Sequence, residues 1–495
     1  MSGIIEKFEP LLNPRSITFI GASANPEKWG SIILSHIIAG RFRGKVYPIN
    51  PRGKEILGLK TYPDVEALPE PPDLAIFVIP SSNIPSVLED CAKKGIKAGI
   101  IITAGFAEVG TEGEKLQQEI VRIAREREMI LVGPNCFGII STTCNLSTTM
   151  PPLYPKPGPF AIVSQSGNVA VSLAHKLIDK GFGISRLISY GNEADLHCED
   201  YLEYLAEDAE TKVILSYAEG FKDGRKFFET AKKVSRRKPI VMLKVGYTAA
   251  GARAARSHTS ALAGSDTTFN AACKQTGIIR ARSVDEMFDI GVALLNQPLP
   301  RGRNVGILTA GGGLGVLAAD ACAYAGLNVA HLPEDTIREL NALLPPWWNH
   351  DNPVDLAAGV FGMDVVKAIE ALLRCHSIDG MILLNLIVAL PINIGVLFRD
   401  DLASSSVPQE KLRTFEDGIG QLFNQLMALV AKHDKPIIVA TELESENIDA
   451  KAKKMAGQKG LAYYTQPDRA ALVFSRLAQY AEYLRNLSPC SPSTP

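Results

Sequence analysis

His258 sits in the stretch RSHTSALAGS, where its neighbours are small or polar and none is a bulky apolar side chain. Such a setting describes a mobile loop better than a core helix, so the imidazole is expected to swing. Most histidines are satisfied structural groups. A histidine that carries a phosphoryl group needs more: a neutral ring nitrogen for attack, an acceptor for the other ring N–H, and donors around the phosphate. Glu219, at the end of the apolar run in LSYAEG, is a candidate acceptor, although it also reads as an ordinary surface glutamate. Two turns offer donors: Ser164, Gln165, Ser166 and Gly167 in SQSGN, and Gly311, Gly312 and Gly313 in GGGLG. Each follows an apolar run and opens a helical pattern, so each presents unpaired N–H groups and the positive end of a helix dipole. Taken singly, a glycine-rich turn can also be no more than tight packing.

A third turn of this kind, FIGASANPEKWG, places Gly21, Ala22 and Ser23 directly after a strand, where backbone N–H groups can receive phosphate. It is not the GxGxxG fingerprint. At the end of the next expected strand, where an NAD site carries an acid for the ribose, the chain has Asn50, Pro51, Arg52 and Lys54. Cations there suit a phosphorylated ribose, as in NADP or coenzyme A, and are equally compatible with a solvated face. Later strand ends carry Val78 and Pro80, then Thr103, Ala104 and Gly105, then Asn135 and Cys136. These fall at successive carboxyl ends, the edge at which open parallel sheets bind ligands.

The elements that must hold these residues recur. SITFIGASANPEKWGSIILSHII, FAIVSQSGNVAVSLAHKLIDKG and NVGILTAGGGLGVLAADACAYAG each read as strand, small-residue turn and amphipathic helix. Further apolar runs alternate with helical patterns between them, which predicts an α/β protein of three doubly wound, mainly parallel sheets. The proline-dense MPPLYPKPGP and the break NQPLPRGRN divide the chain into residues 1–150, 151–298 and 299–485, with 486–495 as a disordered tail. A length of 495 residues supports about three domains. The balance of 52 basic and 53 acidic residues offers no large field for nucleic acid or a membrane surface, so any polyanion site must be local. No leader-like start and no long apolar run is present, which predicts a cytoplasmic chain. Eight scattered cysteines lack CxxC or Cys/His spacing, so no metal site and no disulfide framework is expected.

Taken in order, the strand-end segments of residues 1–150 resemble the CoA-binding domain of the nucleoside-diphosphate-forming acyl-CoA synthetases, the superfamily of succinyl-CoA synthetase. The resemblance runs to about residue 480 and is greatest to the alpha subunits of the ADP-forming acetyl-CoA synthetases. It implies a Rossmann-like CoA-binding domain followed by two flavodoxin-like domains. Gly21, Ala22, Ser23, Arg52, Lys54, Val78, Pro80, Thr103, Ala104, Gly105, Asn135 and Cys136 would then line the coenzyme A site. His258 would be the phosphohistidine, paired with Glu219, and the turns at 164–167 and 311–313 would hold its phosphate. Asp355, in the NPVDL segment, would brace the second turn. ADP and ATP with Mg²⁺ would bind mainly to an ATP-grasp beta subunit in a heterotetramer, because no P-loop or grasping module is visible in this chain. The segment 386–418 departs from the family pattern and leaves the acyl group open. Two other readings compete: a CoA-binding regulatory or scaffold protein without turnover, which would not need His258, Glu219 and both turns, and an NADP-dependent dehydrogenase, which would need a hydride-transfer constellation the chain lacks.

Overall fold

The computed structural model describes residues 3–53, 55–251, 253, 265–357, 359–360, 362–385, 409–441, 455–457 and 459–487. His258, Lys54, most of the 386–418 segment and the C-terminal tail lie outside the described residues. The chain divides into two compact units, Met1–Phe288 and Asp289–Pro495.

Among the described residues the first unit contains two large sheets and a small antiparallel pair, Glu55–Ile56 with Leu59–Lys60. Strands β1 (Ser16–Ile20), β2 (Lys45–Ile49), β3 (Leu74–Phe77), β4 (Ala98–Ile101) and β5 (Ile130–Val132) form a parallel sheet in the order β2-β1-β3-β4-β5. Apart from the edge strand β2, which begins at the exposed Lys45, the strands are short, mostly apolar runs buried on both faces, as a helix-covered parallel sheet requires. Because all five run the same way, their carboxyl ends open on one edge. The second sheet comprises β6 (Gly138–Ser141), β7 (Leu146–Ser147), β8 (Phe160–Ser164), β9 (Ile184–Ser189), β10 (Val213–Ala218), β11 (Ile240–Lys244) and β12 (Ile279–Ala281), in the order β12-β11-β10-β8-β9-β6-β7. Five of its strands are parallel, and β6 adds antiparallel to β9, with β7 antiparallel to β6.

These two sheets are joined by more than the connecting chain. Strands β6 and β7 precede the proline-dense stretch in sequence yet hydrogen-bond into the second sheet. The N-terminal helix Gly3–Leu12 buries Phe8, whose ring stacks on Tyr204 at 5.1 Å and meets Tyr201 edge-on at 6.0 Å. One continuous apolar core therefore includes Phe19, Ile76 and Ile100 of the first sheet with Ile188, Ile214 and Met242 of the second. Such aromatic pairs add about 0.5–1.5 kcal/mol beyond their buried area.

The second unit holds a parallel sheet of β13 (Asn304–Thr309), β14 (Asn328–Val329), β15 (Val354–Asp355), β16 (Gly380–Leu384), β17 (Ile437–Ala440) and β18 (Ala462–Tyr464). Its order is β14-β13-β16-β17-β18, with β15 pairing to β13. Its core gathers Leu308, Trp348, Leu372, Phe423 and Val439. The mixed α/β class and the mainly parallel sheets agree with the pattern of strand, small-residue turn and helix read from the sequence.

Candidate active site

The turn after β1 requires glycine at Gly21. Its φ is +100°, and a Cβ there would stand 2.2 Å from the Val78 carbonyl oxygen on the neighbouring strand. The following helix begins at Trp29, later than the GAS turn suggests, because Ser23 and Asn25 first build a short side-chain-capped loop. Ser23 Oγ accepts from Asn25 N at 3.1 Å, and Asn25 Oδ1 accepts from Glu27 N at 2.9 Å. Asn50 ties this turn to the next one. Its Nδ2 donates to Ala22 O at 2.7 Å, while its Oδ1 accepts from Arg52 N at 2.8 Å and Gly53 N at 3.0 Å. Arg52 is exposed at that edge.

The remaining candidate residues of this domain fall into two groups. Val78, Pro80, Thr103, Gly105 and Asn135 stand at the same sheet edge, where Thr103 Oγ1 donates to Ile79 O at 2.8 Å and Asn135 N donates to Thr103 O at 3.0 Å. Ala22 and Cys136 are buried. The Cys136 thiol donates to Ile101 O at 3.3 Å and burial pushes it up to about 12, so its side chain belongs to the core of the sheet.

In the second sheet, β8 ends at Ser164 and a helix begins at Gly167. The buried Ser164 hydroxyl donates to Ser166 O at 2.6 Å, which folds the turn back on itself, and Ser166 Oγ caps the helix by accepting from Val169 N at 3.5 Å. Helix geometry leaves the first amides of this helix without intrahelical acceptors. A Cβ at Gly167 would fall 2.0 Å from the Phe137 ring, so glycine here admits the loop that follows β5. The second unit repeats the device: Thr309, the last residue of β13, donates through Oγ1 to Gly311 O at 2.8 Å, and a helix begins at Gly312. Gly311 and Gly313 are not demanded by packing, since a Cβ at either would meet no atom within 4 Å. At Gly312 a Cβ would lie 2.9 Å from Asp355 Oδ2, which places Asp355 beside this helix start. A strand-terminal Ser or Thr two residues before the helix cap is the sequence signal common to both turns.

Glu219 is buried, only 4% exposed, so the surface reading of it does not hold. Gln165 connects it to the turn at 164–167: Gln165 Oε1 accepts from Glu219 N at 2.8 Å, and Gln165 N donates to Tyr217 O at 3.1 Å. Burial, together with the Glu219 charge and a hydrogen bond to the Glu219 side chain, raises the Tyr217 phenol above its ordinary value. Thus one buried carboxylate and one helix start are brought together through a single amide. Asn192, which sequence reasoning did not single out, links the coenzyme-side turns to this region. Its N–H donates to Pro134 O at 2.9 Å, its Oδ1 accepts from Asn135 Nδ2 at 3.2 Å, and its Nδ2 donates to Glu108 and to Gln117. Glu108 in turn accepts from the backbone N–H groups of Gly105 and Phe106. Although burial works against its charge, the hydrogen bonds from Asn192, Gly105 and Phe106 hold its carboxyl below the usual range. Among the described residues no group of three or more His, Cys, Asp or Glu side chains is placed to hold a metal ion, and no helix is long and apolar enough to cross a membrane.

With this geometry established, comparison with known proteins defines the class. Residues 15–142 match the CoA binding domain family, residues 157–294 the succinyl-CoA ligase like flavodoxin domain, and residues 305–403 the Ligase-CoA domain. The chain is 38% identical over 483 residues to the alpha subunit of the ADP-forming acetate–CoA ligase I of Pyrococcus furiosus, covering 96% of this chain and 98% of that one. It is 42% identical over 371 residues to the ADP-forming acetate–CoA ligase I of Archaeoglobus fulgidus, of which it spans 54%. Among solved structures, the dinucleotide forming acetyl-coenzyme A synthetase 1 of Ca. Korarchaeum cryptofilum, in complex with phosphate and ADP, superimposes with a TM-score of 0.83 at 34% identity, covering 97% of this chain and 98% of that one. The chain belongs to the family of ADP-forming acetate–CoA ligase alpha subunits.

Proposed function

We propose that the chain is the CoA-binding subunit of an ADP-forming acyl-CoA synthetase. It interconverts acyl-CoA, phosphate and ADP with organic acid, CoA and ATP. The observation that carries this reading is the 38% identity over nearly the full length of both this chain and a named alpha subunit. Phosphate attacks the thioester carbonyl and CoA leaves as thiolate, giving an acyl phosphate. The neutral imidazole of His258 then takes the phosphoryl group, releasing the organic acid, and passes it to ADP. In that scheme Glu219 accepts the hydrogen bond of the other ring nitrogen and offsets the charge of the phosphorylated ring. The helix starts at Gly167 and Gly312 supply amides to the phosphate, and Asp355 supports the second of them.

Coenzyme A would lie along the edge formed by the turns after β1 to β5, with Arg52 and Lys54 near the ribose phosphate. ADP with Mg²⁺ would be held by an ATP-grasp beta subunit in a heterotetramer. The longer Archaeoglobus fulgidus relative, of which this chain spans 54%, supports that division of labour. The domain limits 1–150, 151–298 and 299–485, with β6 and β7 of the first segment paired into the sheet of the second, and a cytoplasmic setting complete the proposal. Its test is ATP formation from acyl-CoA, phosphate and ADP. The chain mixed with its copurifying partner should make ATP, and the highly purified chain alone should not. Full activity of the chain alone would overturn the subunit assignment.

A further inference from the structure

The first unit contains a cleft of about 590 Å³. Its floor includes Gln165 and Gly220, the residues adjoining the buried Glu219, and its wall includes Asn192, whose side chain is bonded to Asn135. It therefore lies between the turn assigned to the phosphate and the turn assigned to coenzyme A. An acyl group in transit between sulfur and phosphate must occupy such a place. The polar lining is rich in amides, from Gln117, Gln118, Gln165 and Asn192, with Val121 and Phe221 as apolar walls. Amides satisfy neutral hydrogen-bonding groups, and the cleft far exceeds what a methyl group would fill. Its charged groups are mixed in sign: Arg125 Nε donates to Asp195 at 3.2 Å, Lys222 Nζ donates to the Glu193 carbonyl, and Glu114 adds a carboxylate to the lining.

Glu193 is the unusual member. It is 2% exposed, yet it lines the cleft, and its backbone holds φ +56° without being glycine. Its Oε1 accepts from Cys198 N at 2.7 Å. Strained backbone and a buried acid in one cleft are features that concentrate at functional sites. Resting on the proposed function, we infer that this cleft receives the acyl portion of the substrate, that it suits a hydroxyl-bearing acyl group larger than acetyl, and that Glu193 meets the polar end of that group. Burial pushes the Glu193 carboxyl up to about 7 against the pull of the Cys198 N–H, His197 and Lys222, with Glu199 opposing ionisation and the Tyr190, Tyr201 and Cys198 side chains close by. In its protonated form it can donate to a hydroxyl or carbonyl oxygen.

The test is calorimetry of the full chain with CoA, acetyl-CoA and 3-hydroxybutyryl-CoA, read as the affinity of each thioester relative to CoA. The hydroxybutyryl group should add about tenfold or more over CoA and the acetyl group much less, the scale of a few methylenes and one hydrogen bond. Gln118→Trp, at an exposed position on the cleft wall, should remove that increment, as should Glu193→Ala. Glu193→Gln keeps both an acceptor for Cys198 N and a donor for the ligand. It should preserve the increment and abolish its decline as pH rises through 7. A structural role alone would not produce that change in pH profile. An equal increment in wild type, Gln118→Trp and Glu193→Ala, or none in wild type while CoA itself binds, would overturn the inference. Failure to bind CoA at all would instead reject the proposed function on which it rests.

Discussion

Replacing Gln165 by leucine tests the link between the turn at 164–167 and Glu219. The substitution preserves bulk but deletes the Oε1 that accepts the Glu219 N–H at 2.8 Å. Glu219 is 4% exposed, so water cannot readily replace the lost acceptor. Stranding a buried donor costs about 1–3 kcal/mol. The backbone can accept that loss of stability, or it can shift so that the N–H finds another partner, which moves the Glu219 carboxylate off the position proposed for holding His258. A shift that forfeits the same energy in the reaction slows phosphoryl transfer by about 5- to 150-fold, with each 1.4 kcal/mol a factor of ten. The assay is incorporation of radiolabelled phosphate from acyl-CoA and phosphate, followed in a rapid-quench apparatus, beside urea unfolding of the same protein. Gln165→Glu retains the acceptor but adds a second carboxyl beside the buried Glu219, so its stability should fall as pH rises and that group ionises. Wild-type labelling and wild-type stability in Gln165→Leu would refute the reasoning.

His258→Ala should abolish an acid-labile, base-stable phosphate label while leaving CoA affinity intact; a persisting label would move the phosphoryl site elsewhere. Glu219→Gln should slow labelling by about 10²- to 10³-fold, as expected for loss of a preorganised electrostatic partner, measured by the same quench assay. Arg52→Glu combined with Lys54→Glu should weaken CoA strongly and dephospho-CoA less, and equal losses by calorimetry would remove these residues from the ribose phosphate. Gly167→Ala puts a Cβ 2.0 Å from the Phe137 ring and should destabilise the first unit by about 1–3 kcal/mol, with Phe137→Leu restoring part of it in the double variant.

The strand, turn and helix repeats were legible because each is local. Runs of β-branched residues end at Ile20, Ser164 and Thr309, a Gly or Ser turn follows, and a helix begins, although the third of these helices, Gly312–Tyr324, is not amphipathic as expected and leaves Val316, Leu317 and Tyr324 exposed. Placement of the turn residues on one sheet edge followed directly, since parallel strands share a carboxyl end. Relations across sequence distance were not legible. Nothing near Gln165 announces that its amide reaches Glu219, 54 positions away, and nothing near Cys136 distinguishes a side chain facing the core from one facing a ligand. Glu193 was missed because GNEAD reads as a polar loop; only the fold reveals that its carboxyl is enclosed. The membership of β6 and β7 in the second sheet was equally hidden, because the prolines that follow them look like a boundary while partner choice between strands is decided by packing.

That last arrangement bears on what happens when the chain is cut. A nick between residues 150 and 159 would sever the backbone but leave β6 paired with β9 and Phe8 stacked on Tyr204. The two pieces interlock rather than abut. Fragments ending and beginning there should therefore reassemble on mixing, each supplying an edge or a ring that the other is shaped to meet, whereas either piece alone would carry an unpaired strand edge open to self-association.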